Sequence, residues 1–249
     1  MQRPVFAANW KMHHGPSDAR AFMRSFLAHY ARRPDRQVIF FPPAVSVTTV
    51  LDALKERQDI QVGVQNLHWE DKGAFTGELS APMARDAGAD LALVGHSERR
   101  HVFGETDEQT ALKVAAAVRA GLVPMLCVGE KLEERERGET ELVVLRQLRA
   151  GTSKIEPHAI AGMLIAYEPV WAIGTGKTAT PADASAIHRV IRRELTAILG
   201  EKGNAIPILY GGSVNRGNAQ SLLEADEVNG LLVGGASLDA EGWSTIART

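Results

Sequence analysis

The chain has 249 residues, 45% of them hydrophobic and 23% charged, and its 28 Lys+Arg against 30 Asp+Glu leave a formal net charge of -2. That balance offers neither the basic field that nucleic acid requires nor the polybasic face that an anionic membrane attracts. No stretch approaches the roughly 18 apolar residues of a bilayer span, the start Met1-Gln2-Arg3-Pro4-Val5 lacks a secretory apolar run, and the lone Cys127 can close no intrachain disulfide, so a cytoplasmic globular protein is expected.

Eight short apolar runs follow one another along the chain: Val5–Ala8, Val38–Phe41, Val62–Val64, Leu91–Val94, Val123–Val128, Leu164–Ala166, Ile206–Tyr210 and Leu231–Val233. Most are continuous rather than alternating, as parallel strands covered on both faces should be. After the first, Asp18–Arg33 reads as a helix capped at Ser17 or Asp18, with Phe22, Phe26 and Leu27 on one face. The segment Asn66–Ser80 after the third run is longer than most strand–helix connections and carries Phe75 on a turn between Gly73 and Gly77. Asp107–Ala120 reads as a helix ending at Gly121, and Leu132–Arg137, rich in Glu and Arg, as a solvated helix face. Asp183–Leu199 follows Pro181 and stops at Gly200. No linker or low-complexity tract divides residues 1–249, which are read as one domain. Eight strand–helix alternations in this length favour a closed (β/α)8 barrel over an open doubly wound sheet. The open sheet would place a Gly-rich fingerprint after its first strand, where this chain has Asn9-Trp10-Lys11.

Barrels of this kind carry their chemistry at the carboxyl ends of the strands, and polar and glycine residues gather there. Glu168 follows the sixth run and Tyr167 and precedes Pro169, which pushes it toward extended geometry. In isolation it could be a strand-end carboxylate paired with a basic residue. The following Val170–Lys177, with an apolar tip and small residues, reads as a lid that would exclude water from a base and its carbanion-like product. His96 follows the fourth run at the start of a short helix, with Ser97 near the cap, where the helix dipole favours the neutral ring. Such a ring can donate to a carbonyl; it can equally be a buried histidine satisfied by backbone. Lys11 could hold an anionic substrate or be a solvated lysine, and Asn9 shares its face if the strand's two-residue period continues. Glu98 could orient Lys11 or cap the short helix. Tyr210-Gly211-Gly212-Ser213 and Val233-Gly234-Gly235-Ala236 are either tight turns or, after the last two strands, a cradle of backbone N–H groups for phosphate. Cys127 has no activating base beside it and reads as a semi-buried structural thiol.

With these residues assembled, the chain resembles the triosephosphate isomerases over essentially its whole length. The resemblance rests on Asn9-Trp10-Lys11-Met12, Gly73–Glu78, Gly95-His96-Ser97-Glu98-Arg99-Arg100, Cys127–Glu130, Ala166–Lys177, Tyr210–Val214 and Leu232–Ser237. It implies a TIM barrel in which Glu168 moves a proton between two substrate carbons while His96 polarises and reprotonates the oxygens. Lys11 would hold the small phosphorylated triose electrostatically, supported by Glu98 and with a polar contact from Asn9. Gly174, Ser213, Gly234 and Gly235 would bind its phosphate, and no metal or organic cofactor would be needed. It also implies a homodimer in which the 66–80 loop docks beside the partner's active site, with Thr76 near Asn9 and Lys11. His13-His14 departs from the Asn expected after Met12. Another phosphate-binding barrel, such as a phosphoribosyl sugar isomerase, would call for paired acid–base carboxylates, and a catalytically silent barrel would lack one of Lys11, His96 and Glu168.

Overall fold

The computed structural model describes residues 3–173 and 178–249. Among these, eight parallel strands close into a barrel in chain order: β1 (Val5–Asn9), β2 (Gln37–Phe41), β3 (Ile60–Val64), β4 (Leu91–Val94), β5 (Val123–Val128), β6 (Leu164–Tyr167), β7 (Ile208–Tyr210) and β8 (Gly230–Val233). β8 returns to β1, Val5 opposite Gly230 and Ala8 opposite Val233, so no edge is left unpaired. Helices fill the crossovers, the longer ones being Pro16–His29, Asp107–Arg119, Thr140–Thr152 and Pro181–Leu199. No helix among the described residues is long and apolar enough to cross a membrane.

The two faces of each strand feed two cores. Val5, Ala7, Ile39, Phe41, Leu91, Leu93, Met125, Cys127, Leu164, Ala166, Leu209 and Leu232 pack inside the barrel. Phe6, Ala8, Phe40, Val62, Leu126, Ile165 and Tyr210 pack outward against the helices. Both faces are apolar, which is why the strands read as continuous runs. Gly63 belongs to the inner set by parity, and a Cβ there would come 2.3 Å from the Phe41 ring, so the interior is filled by Phe41 in its place.

Local differences from the sequence reading have local causes. The first helix begins at Pro16 after Gly15 rather than at Ser17 or Asp18, because proline suits the first helical position. It ends at His29, not Arg33, where Tyr30 turns extended and stacks on Phe26 at 4.9 Å. β7 starts at Ile208 rather than Ile206, since Pro207 has no N–H for the ladder. The fourth long helix opens earlier than Asp183, at Pro181, with Thr180 and Asp183 forming a capping box. Cys127 is fully buried, not semi-buried, and burial pushes its thiol well above the usual range.

Candidate active site

Side-chain parity carries the inner face of the barrel directly into the mouth. On β6 the inward series Leu164, Ala166 continues to Glu168, and on β1 Val5, Ala7 continues to Asn9. The same step leads from Leu209 to Gly211 and from Leu232 to Gly234. These positions line one cavity of about 360 Å³ at the strands' carboxyl ends, together with Lys11, His13, His96, Ser213 and Gly235. Of the site residues expected from sequence, Asn9, Lys11, His96, Glu168, Ser213, Gly234 and Gly235 therefore meet at this mouth, while Gly174, with the second half of the expected lid, lies outside the described residues.

His96 is out of phase with the inward series and needs a break in the strand to reach the mouth. Gly95 supplies it with φ +72°, a conformation that penalises any Cβ. Its N–H donates to buried Glu105 (3.1 Å) and its carbonyl accepts from Arg100 Nε (2.7 Å), so the turn is clamped from both sides. His96 itself, rather than Ser97, caps the short helix Ser97–His101: its Nδ1 accepts the Glu98 N–H at 3.3 Å. The ring proton then sits on Nε2, 2.9 Å from Glu168 Oε1. Burial disfavours the charged ring, but the adjacent Glu168 carboxylate outweighs it and raises the His96 pKa, opposing the dipole effect expected from sequence.

Glu168 is buried and its two oxygens are fully engaged. Ser97 N–H donates to Oε2 (2.9 Å), Ser97 hydroxyl donates to Oε1 (3.1 Å), and His96 adds its own contact. Burial alone would raise the carboxyl pKa; the charge and hydrogen bond of His96 and the two bonds from Ser97 more than offset it and lower the value. Ser97 was legible only as a cap, yet its two hydrogen bonds add to the influence of His96 in holding the carboxylate ionised. Gly129 makes room for this strand end: a Cβ there would lie 1.7 Å from the Glu168 carbonyl oxygen.

Lys11 reaches the cavity by a route other than the expected two-residue period. β1 ends at Asn9, and Lys11 has φ +52°, a left-handed conformation that costs a non-glycine residue on the order of 1–3 kcal/mol. Two contacts hold the strained turn. Asn9 Oδ1 accepts the Lys11 N–H (3.0 Å), and Gln65 Nε2, just past the end of β3, donates to the Lys11 carbonyl (2.8 Å). At its tip the ammonium donates to Glu98 Oε1 at 2.6 Å, so Glu98 orients Lys11 as one of the two sequence readings required. Gln65 was not among the expected site residues, although its inward parity after Gly63 is a usable signal.

The opposite wall is mostly backbone. Gly211, Gly212, Ser213, Gly234 and Gly235 bring main chain to the cavity. Gly211 N–H donates to the Tyr167 carbonyl (2.7 Å), tying this wall to the strand that carries Glu168. A Cβ on Gly212 would come 2.2 Å from the hydroxyl of buried Tyr210 and 2.9 Å from Pro169, and one on Gly234 would come 3.0 Å from Lys11 Cε. Gly212 is thus required by close approach, whereas Gly235 has open space beside it. The mouth combines the buried Glu168 carboxylate, the buried His96 imidazole with His13 further out, the Lys11 ammonium and a backbone wall suited to an anion, a set able to move a proton beside a carbonyl.

Residues 4–249 match the family model described as triosephosphate isomerase. The triosephosphate isomerase of Moorella thermoacetica is 46% identical over 248 residues, covering 100% of this chain and 99% of that protein. That of Aquifex aeolicus is 43% identical over 244 residues, covering 98% of each. A crystal structure of triosephosphate isomerase from Bartonella henselae superposes with a TM-score of 0.89 at 40% identity, covering 99% of this chain and 98% of that one.

Proposed function

The chain belongs to the triosephosphate isomerase family and interconverts dihydroxyacetone phosphate and glyceraldehyde 3-phosphate; on that premise we propose that Glu168 is the base, His96 the acid that serves the oxygens, and Lys11 the fixed cation. The observation that carries the assignment is the convergence of Glu168, His96 and Lys11 on one cavity that is faced across by the glycine wall. Glu168 removes a proton from the carbon next to the carbonyl. His96 donates through Nε2 to the carbonyl oxygen as it gains charge, then passes the proton between the two oxygens of the enediolate. Lys11, held by Glu98, stabilises the same negative charge, and Asn9 adds a polar contact. Ser213, Gly234, Gly235 and, from the family resemblance, Gly174 take the phosphate through backbone N–H groups.

Bound to Ser97 and His96, Glu168 is a weak base. Exchanging those bonds for substrate leaves burial as the dominant influence and raises its basicity when it is needed. Solvent deuterium incorporation into the carbon beside the carbonyl tests the role directly. Glu168→Gln should cut it by about 10³-fold with the fold intact; retention of more than a tenth of wild-type exchange removes Glu168 from that role.

The reading extends to one domain over 1–249, a cytoplasmic location supported by the single unpaired cysteine, and a homodimer through the 66–80 loop. Residues 71–78 are exposed, and Phe75 is 43% exposed at the tip, leaning on His68 at 4.2 Å rather than on the barrel. Met12 and Phe103, 93% and 65% exposed, flank the mouth and would cover the partner's loop. An isologous contact makes each subunit both donor and acceptor. Charged residues in place of Phe75 and Thr76 should yield monomers of depressed activity in sedimentation at micromolar concentration; a fully active wild-type monomer contradicts the dimer.

A further inference from the structure

At the opposite end of the barrel, where β1, β2 and β3 begin, a second cavity of about 370 Å³ is lined by Arg3, Arg32, Arg33, Arg36, Gln37 and Gln61, with Pro34, Gln58 and Asp59. This volume falls in the lower range of small-molecule sites. Strands of five residues at roughly 3.3 Å each separate it from the catalytic mouth. Its charge is contrary to that of the whole chain. With Arg57, which pairs with Asp59, five arginines face only Asp35 and Asp59, in a protein whose formal net charge is -2.

The arginines divide by what they already hold. Arg36 spans Asp35 and the Ala247 carbonyl and lies over the Phe6 ring, while Arg57 spans Asp59 and the Tyr30 carbonyl. Both close the bottom of the barrel. Arg33 is forked onto Asp35. Arg3 and Arg32 make no ion pair among the described residues. Burial of apolar surface cannot explain this lining, because Pro34 is its only apolar member. Nor does any aromatic side chain line it that could stack on a nucleobase.

From these observations we propose that this cleft is an oligophosphate-binding site, in which Arg3 and Arg32 clamp a short chain of phosphates through paired guanidinium hydrogen bonds, Arg33 adds the N–H donors that Asp35 leaves over, and Gln58 and Gln61 supply neutral donors. Guanidinium groups match phosphate oxygens in pairs, and a polyanion satisfies several forks at once where a single carboxylate satisfies one. The absence of an aromatic or apolar lining selects an inorganic or simple oligophosphate over a nucleotide. Binding to the folded chain alone stabilises it by mass action, so the site would make stability, rather than turnover, responsive to oligophosphate.

Inorganic tripolyphosphate is the probe, titrated at fixed ionic strength by calorimetry and by thermal midpoint. Both are run with saturating glycerol 3-phosphate, which has the substrate's phosphate and no carbonyl and keeps the catalytic mouth filled. At a hundredfold excess over Kd the midpoint should rise by roughly 5–10 °C. Arg3→Ala/Arg32→Ala should weaken binding by about tenfold or more while leaving isomerisation unchanged. The charge-matched Arg20→Ala/Arg24→Ala, on exposed positions of the first helix outside the cleft, should bind like wild type. Three results would overturn the site: no binding once glycerol 3-phosphate is present, wild-type affinity in the Arg3/Arg32 variant, or equal weakening in the Arg20/Arg24 control.

Discussion

The two walls of the catalytic mouth are made in different ways. On the side of β1, β4 and β6, function resides in charged side chains, each held by named partners: Lys11 by Glu98, His96 by Glu98 N–H, Glu168 by Ser97. On the side of β7 and β8 it resides in main chain brought close by glycines whose missing side chains leave the space. One wall is specified by which atoms are present and the other by which are absent. The first wall should respond to mutation mainly in turnover, because its charges act on a charge that develops during reaction. The second should respond mainly in binding, because it grips a phosphate that does not change.

The largest effect expected in sharpening this contrast, after loss of the Glu168 carboxylate itself, is at Lys11. Lys11→Met keeps the length of the side chain and removes its charge, and kcat/KM should fall by roughly 10²–10³-fold. A drop confined to KM would move Lys11 to the binding wall. Next is Gly212→Ala, whose new Cβ meets the Tyr210 hydroxyl and Pro169 and must displace the backbone beside Ser213. KM should rise about tenfold, with kcat changed less than KM in steady-state assays. If kcat falls and KM does not, the two walls are not separable. The smallest effect is at Glu98. Its ion pair with Lys11 is short but partly exposed, and exposed pairs contribute roughly 0.2–1 kcal/mol. Glu98→Gln retains an acceptor and should lower kcat/KM only about two- to fivefold. A loss as large as that of Lys11→Met would make Glu98 part of the chemistry rather than a support for it.

The same division decides what could be read from the sequence. The eight strands were visible because strands packed on both faces are continuous apolar runs; their ends shifted by one or two residues, as at Ile60 and Gly230, where a polar or glycine residue joins the ladder, and at Ile208, where Pro207 cannot. Glu168, His96, Lys11 and Glu98 were visible because a charge at the end of an apolar run is conspicuous. The glycine pairs were visible as pairs, but either reading of them, turn or cradle, fits the same letters; the contact of Gly212 with Tyr210 requires coordinates. What sequence could not convey was the set of distant partners. Gln65 grips the Lys11 carbonyl across 54 positions, Ser97 meets Glu168 across 71, and Gly95 is clamped by Glu105 from a neighbouring loop. Nor could it reveal that Lys11 adopts a left-handed backbone, since lysine carries no signal for that conformation. Asn9 and Lys11 do line one cavity, but by a turn and not by the period of a strand.

The central claim, that proton transfer and phosphate binding are assigned to separate walls, is tested most directly by calorimetric titration of glycerol 3-phosphate into Glu168→Gln and Gly212→Ala beside the wild type. This ligand carries the phosphate and offers no carbonyl to isomerise, so it reads the grip without the chemistry. The account predicts that Glu168→Gln binds within about threefold of wild type, whereas Gly212→Ala binds about tenfold more weakly or worse. Equal weakening in the two variants, or tight binding by Gly212→Ala with weak binding by Glu168→Gln, would contradict it.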